Sequence, residues 1–89
     1  MTEQEIQYDA IVRTEVAIEI LNQARAIVTA RIYDLEDREP VAAEDLRTRR
    51  RALLDLQHSL SPKNLPAVED AIAVWGPRVK DEVRFWAEF

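Results

Sequence analysis

The sequence predicts an all-α protein, an antiparallel three-helix bundle with a long first helix and a kinked third helix. Three observations point there. Apolar residues recur at steps of three and four along segments at about 3–35, 41–60 and 65–88. The 89-residue chain has a single glycine, too few for the many turns of an all-β domain. The two connectors are short and each contains a proline, so successive helices fold back on one another. The length fits one domain spanning 1–89.

The first segment carries one stripe through Ala17, Leu21, Ala24, Val28, Ile32 and Leu35. A neighbouring stripe runs through Val12, Val16, Ile20 and Ile27. Glu15, Glu19, Asn22 and Thr29 fall on the other side. Thr2 and Glu5 have the spacing of a capping box at its start. The β-branched content is high for a helix, so packing rather than propensity must hold it. A charged connector follows, and Pro40 blocks simple continuation. The second segment buries Leu46, Leu53, Leu56 and Leu60, with Ala42 and Leu54 beside them. Asp45 with Arg49 and Arg51 with Asp55 stand at ion-pair spacing. After the second connector, Asn64 is suited to cap the third segment, and Pro66 fits its first turn. Leu65, Val68, Ile72, Trp75, Val79, Val83 and Trp86 keep one register to the end. Gly76-Pro77 lies inside that register, which predicts one bent helix with its kink there.

Composition removes several functions. With no cysteine there is no disulfide framework, thiolate zinc site or cysteine nucleophile. One glycine leaves no Gly-rich phosphate loop. A net charge of -5 opposes nonspecific nucleic-acid binding. The acidic N-terminus is unlike a signal peptide, and charges interrupt every apolar stretch. The expectation is a cytoplasmic protein with no membrane association.

Chemistry-bearing side chains do not gather into a reaction centre. His58 is the lone histidine and lacks the converging partners a metal needs. Ser59 and Ser61 have no nucleophile elbow around them. The basic run Arg47, Arg49, Arg50, Arg51 reads best as a solvated face paired with Glu44, Asp45 and Asp55, with an acidic-partner or phosphate site as the alternative. A helix-turn-helix reading fails because Glu69 and Asp70 sit where a recognition helix should be basic or neutral. No catalytic residue, metal ligand or cofactor is assigned, and the expectation is a non-enzyme.

The interaction signals are better placed. Trp75 and Trp86 lie on the third stripe and read as core, whereas Phe85 and Phe89 fall beside it and are candidates for an exposed patch. Ile6, Ile11 and Ile18 fall outside both stripes of the first segment, giving it more apolar surface than two short helices can cover. Residues 1–35 also hold six acids against three arginines. An apolar, acidic first helix suits docking onto a basic partner.

Three places resemble the epsilon antitoxins, which neutralise zeta toxins. One is Glu15-Val16-Ala17-Ile18-Glu19-Ile20-Leu21-Asn22-Gln23, preceded by Tyr8-Asp9. Another is the two-connector layout with its charged middle helix. The last is Asn64-Leu65-Pro66-Ala67-Val68 running to Trp75. The sequence departs from that pattern at Gly76-Pro77 and in the stretch 34–44.

The resemblance implies an antitoxin of a type II toxin-antitoxin system. Its partner would be a zeta-like P-loop kinase acting on UDP-N-acetylglucosamine, held in a hetero-oligomer. It implies that the first helix lies across the kinase nucleotide site and excludes ATP or GTP. Tyr8 matches the family's N-terminal aromatic, and Asp9 and Glu15 match acids on the same helix. Such a site, ringed by cations and backbone N–H groups, attracts carboxylates. The expected partner-binding residues are Tyr8, Asp9, Ile11, Val12, Glu15 and Glu19. The alternative is another small helical interaction protein, an effector chaperone or a homodimeric subunit.

Overall fold

The computed structural model describes residues 3–89, with side chains from residue 7 onward. The Thr2–Glu5 capping box and the Ile6 side chain lie outside the described residues. The described residues form four helices: α1 (Glu3–Leu35), α2 (Pro40–Ser59), α3 (Leu65–Val79) and α4 (Glu82–Glu88). There is no strand among the described residues.

α1 is the spine. At 1.5 Å per residue its 33 residues reach about 50 Å, nearly the 56 Å long axis of the molecule. α2 runs antiparallel to it. Arg47 meets Glu36 at 3.1 Å, Arg50 meets Thr29 at 2.9 Å, and the Gln57 side chain reaches Asn22 at 2.9 Å. With 20 residues, α2 covers only the C-terminal part of α1. α3 then climbs the N-terminal part in the same direction as α1. Glu69 meets Arg13 at one end, and Gly76 faces Ile20 at the other.

The ends of the helices follow local chemistry. Pro40 occupies the first turn of α2, where its missing N–H costs nothing. Arg38 Nε donates to the Asp34 carbonyl at 3.1 Å, satisfying an orphan acceptor at the end of α1. The Asn64 side chain accepts from the Ala67 N–H at 3.4 Å, so the expected cap of α3 is present.

The third segment differs from expectation. It is two helices, and the break falls at Lys80-Asp81, not at Gly76-Pro77. Pro77 removes an N–H only two residues before α3 ends, and α3 runs past it to Val79. The stop coincides with a new start. Asp81 is extended, at φ -139° and ψ 98°, and accepts from the Arg84 N–H at 3.2 Å as an N-cap.

That break resets the buried face. Val83, expected in the core, is 83% exposed, and Phe85, a candidate for an exposed patch, is 0% exposed. Phe85 joins Leu21, Ala24, Val28, Ile32, Ala43, Leu46 and Leu53 in the main core. Trp75, Trp86 and Phe89 pack around it, with the Phe85 and Phe89 rings stacked at 5.1 Å. Phe89 is therefore half-buried in the same cluster and is not a free interface patch. Arg31 caps the Trp86 ring at 4.3 Å and Arg49 the Phe89 ring at 4.0 Å, tying the chain's end to α1 and α2. A smaller cluster of Ala17, Val68 and Ala71 joins α1 to α3, and Leu60 packs against both clusters.

Candidate functional site

The first stripe of α1 is buried as expected, from Ala17 to Ile32. The second divides. Ile20 and Ile27 are half-buried, while Val12 and Val16 are open to solvent. The cause is geometric. α2 ends at Ser59, beside the middle of α1, so α3 is the one helix against the N-terminal half of α1 among the described residues. The contact surface there is built from small residues. Ala10, Thr14 and Ala17 are buried, and the Thr14 hydroxyl returns a 2.7 Å hydrogen bond to the Ala10 carbonyl. A bidentate pair closes the contact, with Arg13 Nε and Nη2 each 2.7 Å from a Glu69 carboxylate oxygen. The pair holds the Glu69 carboxyl below its ordinary range and raises the Arg13 guanidinium.

Outside the small buried contact with α3, the same half of α1 presents apolar side chains to water. Tyr8 is 68% exposed, Ile11 45% and Val12 38%. Asp9, Glu15 and Glu19 are exposed among them. All six sequence-predicted partner residues thus lie on the open part of one helix. Glu15 and Glu19 stand one turn apart, a like-charge spacing that is unfavourable in an isolated helix. Among the described residues neither has a cation within ion-pair distance.

Val12, Glu15 and Glu19 also form one wall of an open groove of about 830 Å³ between α1 and α3. Val16 and Ile20 share that wall. The opposite wall is Ile72, Gly76, Pro77, Val79 and Lys80. Tyr8, Asp9 and Ile11 are not part of the groove. The α3 wall is what the sequence reading missed. Its one visible signal in the sequence is Gly76-Pro77, which predicts a kink there. A β-carbon built on Gly76 meets Ile20 Cδ1 at 3.7 Å, an ordinary contact. The glycine therefore widens the groove without being demanded by the backbone.

The arginine run on α2 also differs from its expected pairing. Arg47 meets Glu44 at 3.0 Å and Glu36 at 3.1 Å. Neither Asp45–Arg49 nor Arg51–Asp55 closes among the described residues. Arg49 is instead drawn over Phe89.

No group of three His, Cys, Asp or Glu side chains converges as a metal site among the described residues. No helix among them is long and apolar enough to cross a membrane. Comparison with protein-family models, curated proteins and solved structures finds no match for this chain.

Proposed function

We propose that this protein is a stoichiometric binding protein of the antitoxin type, acting in the cytoplasm through the open N-terminal half of α1. The carrying observation is the solvent-facing set Tyr8, Ile11 and Val12, interleaved with Asp9, Glu15 and Glu19, on a helix half covered by one neighbour. An apolar strip flanked by carboxylates that make no ion pair among the described residues favours a partner cleft that is greasy at its floor and cationic at its rim. The nucleotide site of a P-loop kinase has that cationic rim. In the epsilon-type reading the partner is a zeta-like UDP-N-acetylglucosamine kinase. Asp9 or Glu15 stands in for phosphate charge, and Tyr8 fills nucleotide space. α3 and α4 then serve together as the kinked third arm of a three-helix bundle that braces α1. The chain performs no catalysis of its own.

Co-expression with a P-loop kinase encoded beside it tests this. Tyr8→Ala with Glu15→Lys should abolish neutralisation while leaving the helical circular-dichroism signal unchanged. Intact neutralisation by that double variant sinks the mechanism. A second reading, a homodimer through the same face, is favoured by the exposed Val12 and Val16 side chains. Light scattering separates the two. A monomer that binds the kinase one-to-one supports the first, and a tight dimer broken by Val12→Asp supports the second.

A further inference from the structure

A second concavity lies between the C-terminal half of α1 and the middle of α2. It is an open cleft of about 350 Å³. Arg25 and Thr29 line it from α1, one turn apart, and Arg47, Arg50 and Arg51 line it from α2. Thr48, Leu54 and Glu44 complete the α2 wall. Four guanidiniums thus face one acid, within a chain whose net charge is -5.

The positive charge there is largely unneutralised. Arg47 alone meets carboxylates. Arg50 Nη1 donates to the neutral Thr29 hydroxyl at 2.9 Å. Arg25 Nη1 donates to two amide oxygens, Gln57 Oε1 at 3.2 Å and Asn22 Oδ1 at 3.4 Å. Its Nε–H is buried and has no acceptor. Arg51 makes no ion pair among the described residues, although Asp55 follows it by one turn. Buried donors are ordinarily satisfied, and guanidiniums gathered in one concavity repel unless an anion joins them.

We infer that this cleft binds the phosphate group of a small phosphorylated ligand. Guanidinium forks on two walls offer donors in the geometry that phosphate oxygens accept. Thr29 Oγ1 already accepts from Arg50, which leaves its O–H free to donate inward. A tetrahedral oxyanion uses donors from both helices at once, where a planar carboxylate engages one fork. The flanking acids Glu44, Asp45 and Asp55 repel an extended polyanion, so the cleft suits a small ligand better than a nucleic-acid strand. This site is distinct from the α1–α3 groove and stands independently of the antitoxin reading.

Titration calorimetry with inorganic pyrophosphate, against sodium chloride at matched ionic strength, is the test. Saturable one-to-one binding is expected, together with a rise in Tm that chloride does not reproduce. Arg51→Ala should weaken binding about tenfold, the loss of one charge-assisted contact. Because Arg51 makes no ion pair, its loss leaves the fold intact. Arg38→Ala, whose side chain pairs with Asp34 outside the cleft, should bind as the parent does. The proposal is overturned by absence of saturation up to about 10 mM, by equal losses in the two variants, or by chloride matching the Tm rise. Retention of duplex DNA without binding of pyrophosphate overturns it too.

Discussion

The two halves of α1 have similar sequences and different surroundings. Both are rich in aliphatic residues at helical spacing. The C-terminal half is enclosed by α2 on one side and by α4 with the end of α3 on another, around Leu21, Val28, Ile32 and Phe85. The N-terminal half meets α3 through Ala17, Val68 and Ala71, with Leu60 at its lower edge. Small residues bring two helices close but bury little apolar area, and stabilisation scales with area removed from water. Stability is therefore concentrated at one end and accessible apolar surface at the other. That division is what a helix offered to a partner requires: one half anchors it, and the other stays open.

The largest test of the division is Phe85→Ala. Truncating a fully buried aromatic costs about 3–5 kcal/mol, much of the total for a domain this small. Urea denaturation should show the midpoint collapsing, with loss of the near-ultraviolet signal of Trp75 and Trp86. A shift of only a few tenths of a molar would mean the C-terminal core is not the anchor. Ala17→Leu probes the other half. Ala17 is fully buried where α1 and α3 approach, so three added carbons should cost about 1–3 kcal/mol by forcing the helices apart. Hydrogen exchange should quicken in α3 and the first turns of α1, with α2 unaffected. Uniform loss of protection would show the halves to be one cooperative unit.

Helix existence was legible in the sequence because it rests on repeated spacing. The buried stripe of α1, the start of α3 at Asn64 and the connectors all follow from local signals. The fate of the third segment was not. Its register from Leu65 to Trp86 reads as continuous, yet Asp81 offers a cap that restarts the helix and turns Phe85 inward in place of Val83. Capping is a single-residue effect hidden inside an unbroken apolar pattern. Ion pairs were the least legible. Asp45–Arg49 and Arg51–Asp55 have the right spacing, but exposed pairs gain little, and the Phe89 ring competes for Arg49. Of the candidate face, Ile11 follows from surplus apolar residues on α1, whereas Tyr8, Asp9 and Glu15 are named only by the resemblance. Its α3 wall could not be read from either, because that depends on where α2 stops.

Gly76→Ala should have a smaller effect and the opposite sign. Gly76 has no positive φ, and beyond its chain neighbours and its own helix backbone the added carbon meets Ile20 at ordinary contact distance. Helix propensity then favours alanine by up to about 1 kcal/mol, partly offset by contact of the new Cβ with the Pro77 ring. The urea midpoint should rise. If the α1–α3 groove receives part of a partner, affinity for that partner should fall in the same variant. A rise in stability with unchanged affinity would restrict the contact to the outer residues Tyr8, Asp9 and Ile11.

The smallest effect expected is on pH dependence, and it divides the halves again. Glu69 joins α3 to the N-terminal half of α1, and hydrogen bonding to Arg13 lowers its carboxyl from the ordinary value. Glu88 joins α4 to α3, and its carboxyl is lowered first by Arg84 and then by Arg78. A carboxyl with a depressed folded value contributes stability above its unfolded pKa of about 4.3, and that contribution fades as pH falls through the folded value. Both halves should therefore loosen below about pH 4, with the loss blunted by salt because both pairs are solvent-exposed. The N-terminal half has little core to compensate, so amides around Ala17 and Val68 should lose exchange protection before those around Phe85. Glu69→Gln should remove the acid sensitivity of the first set and leave the second unchanged. Simultaneous loss at both sites in the parent protein would mean that the Arg13–Glu69 pair does not hold the open half in place.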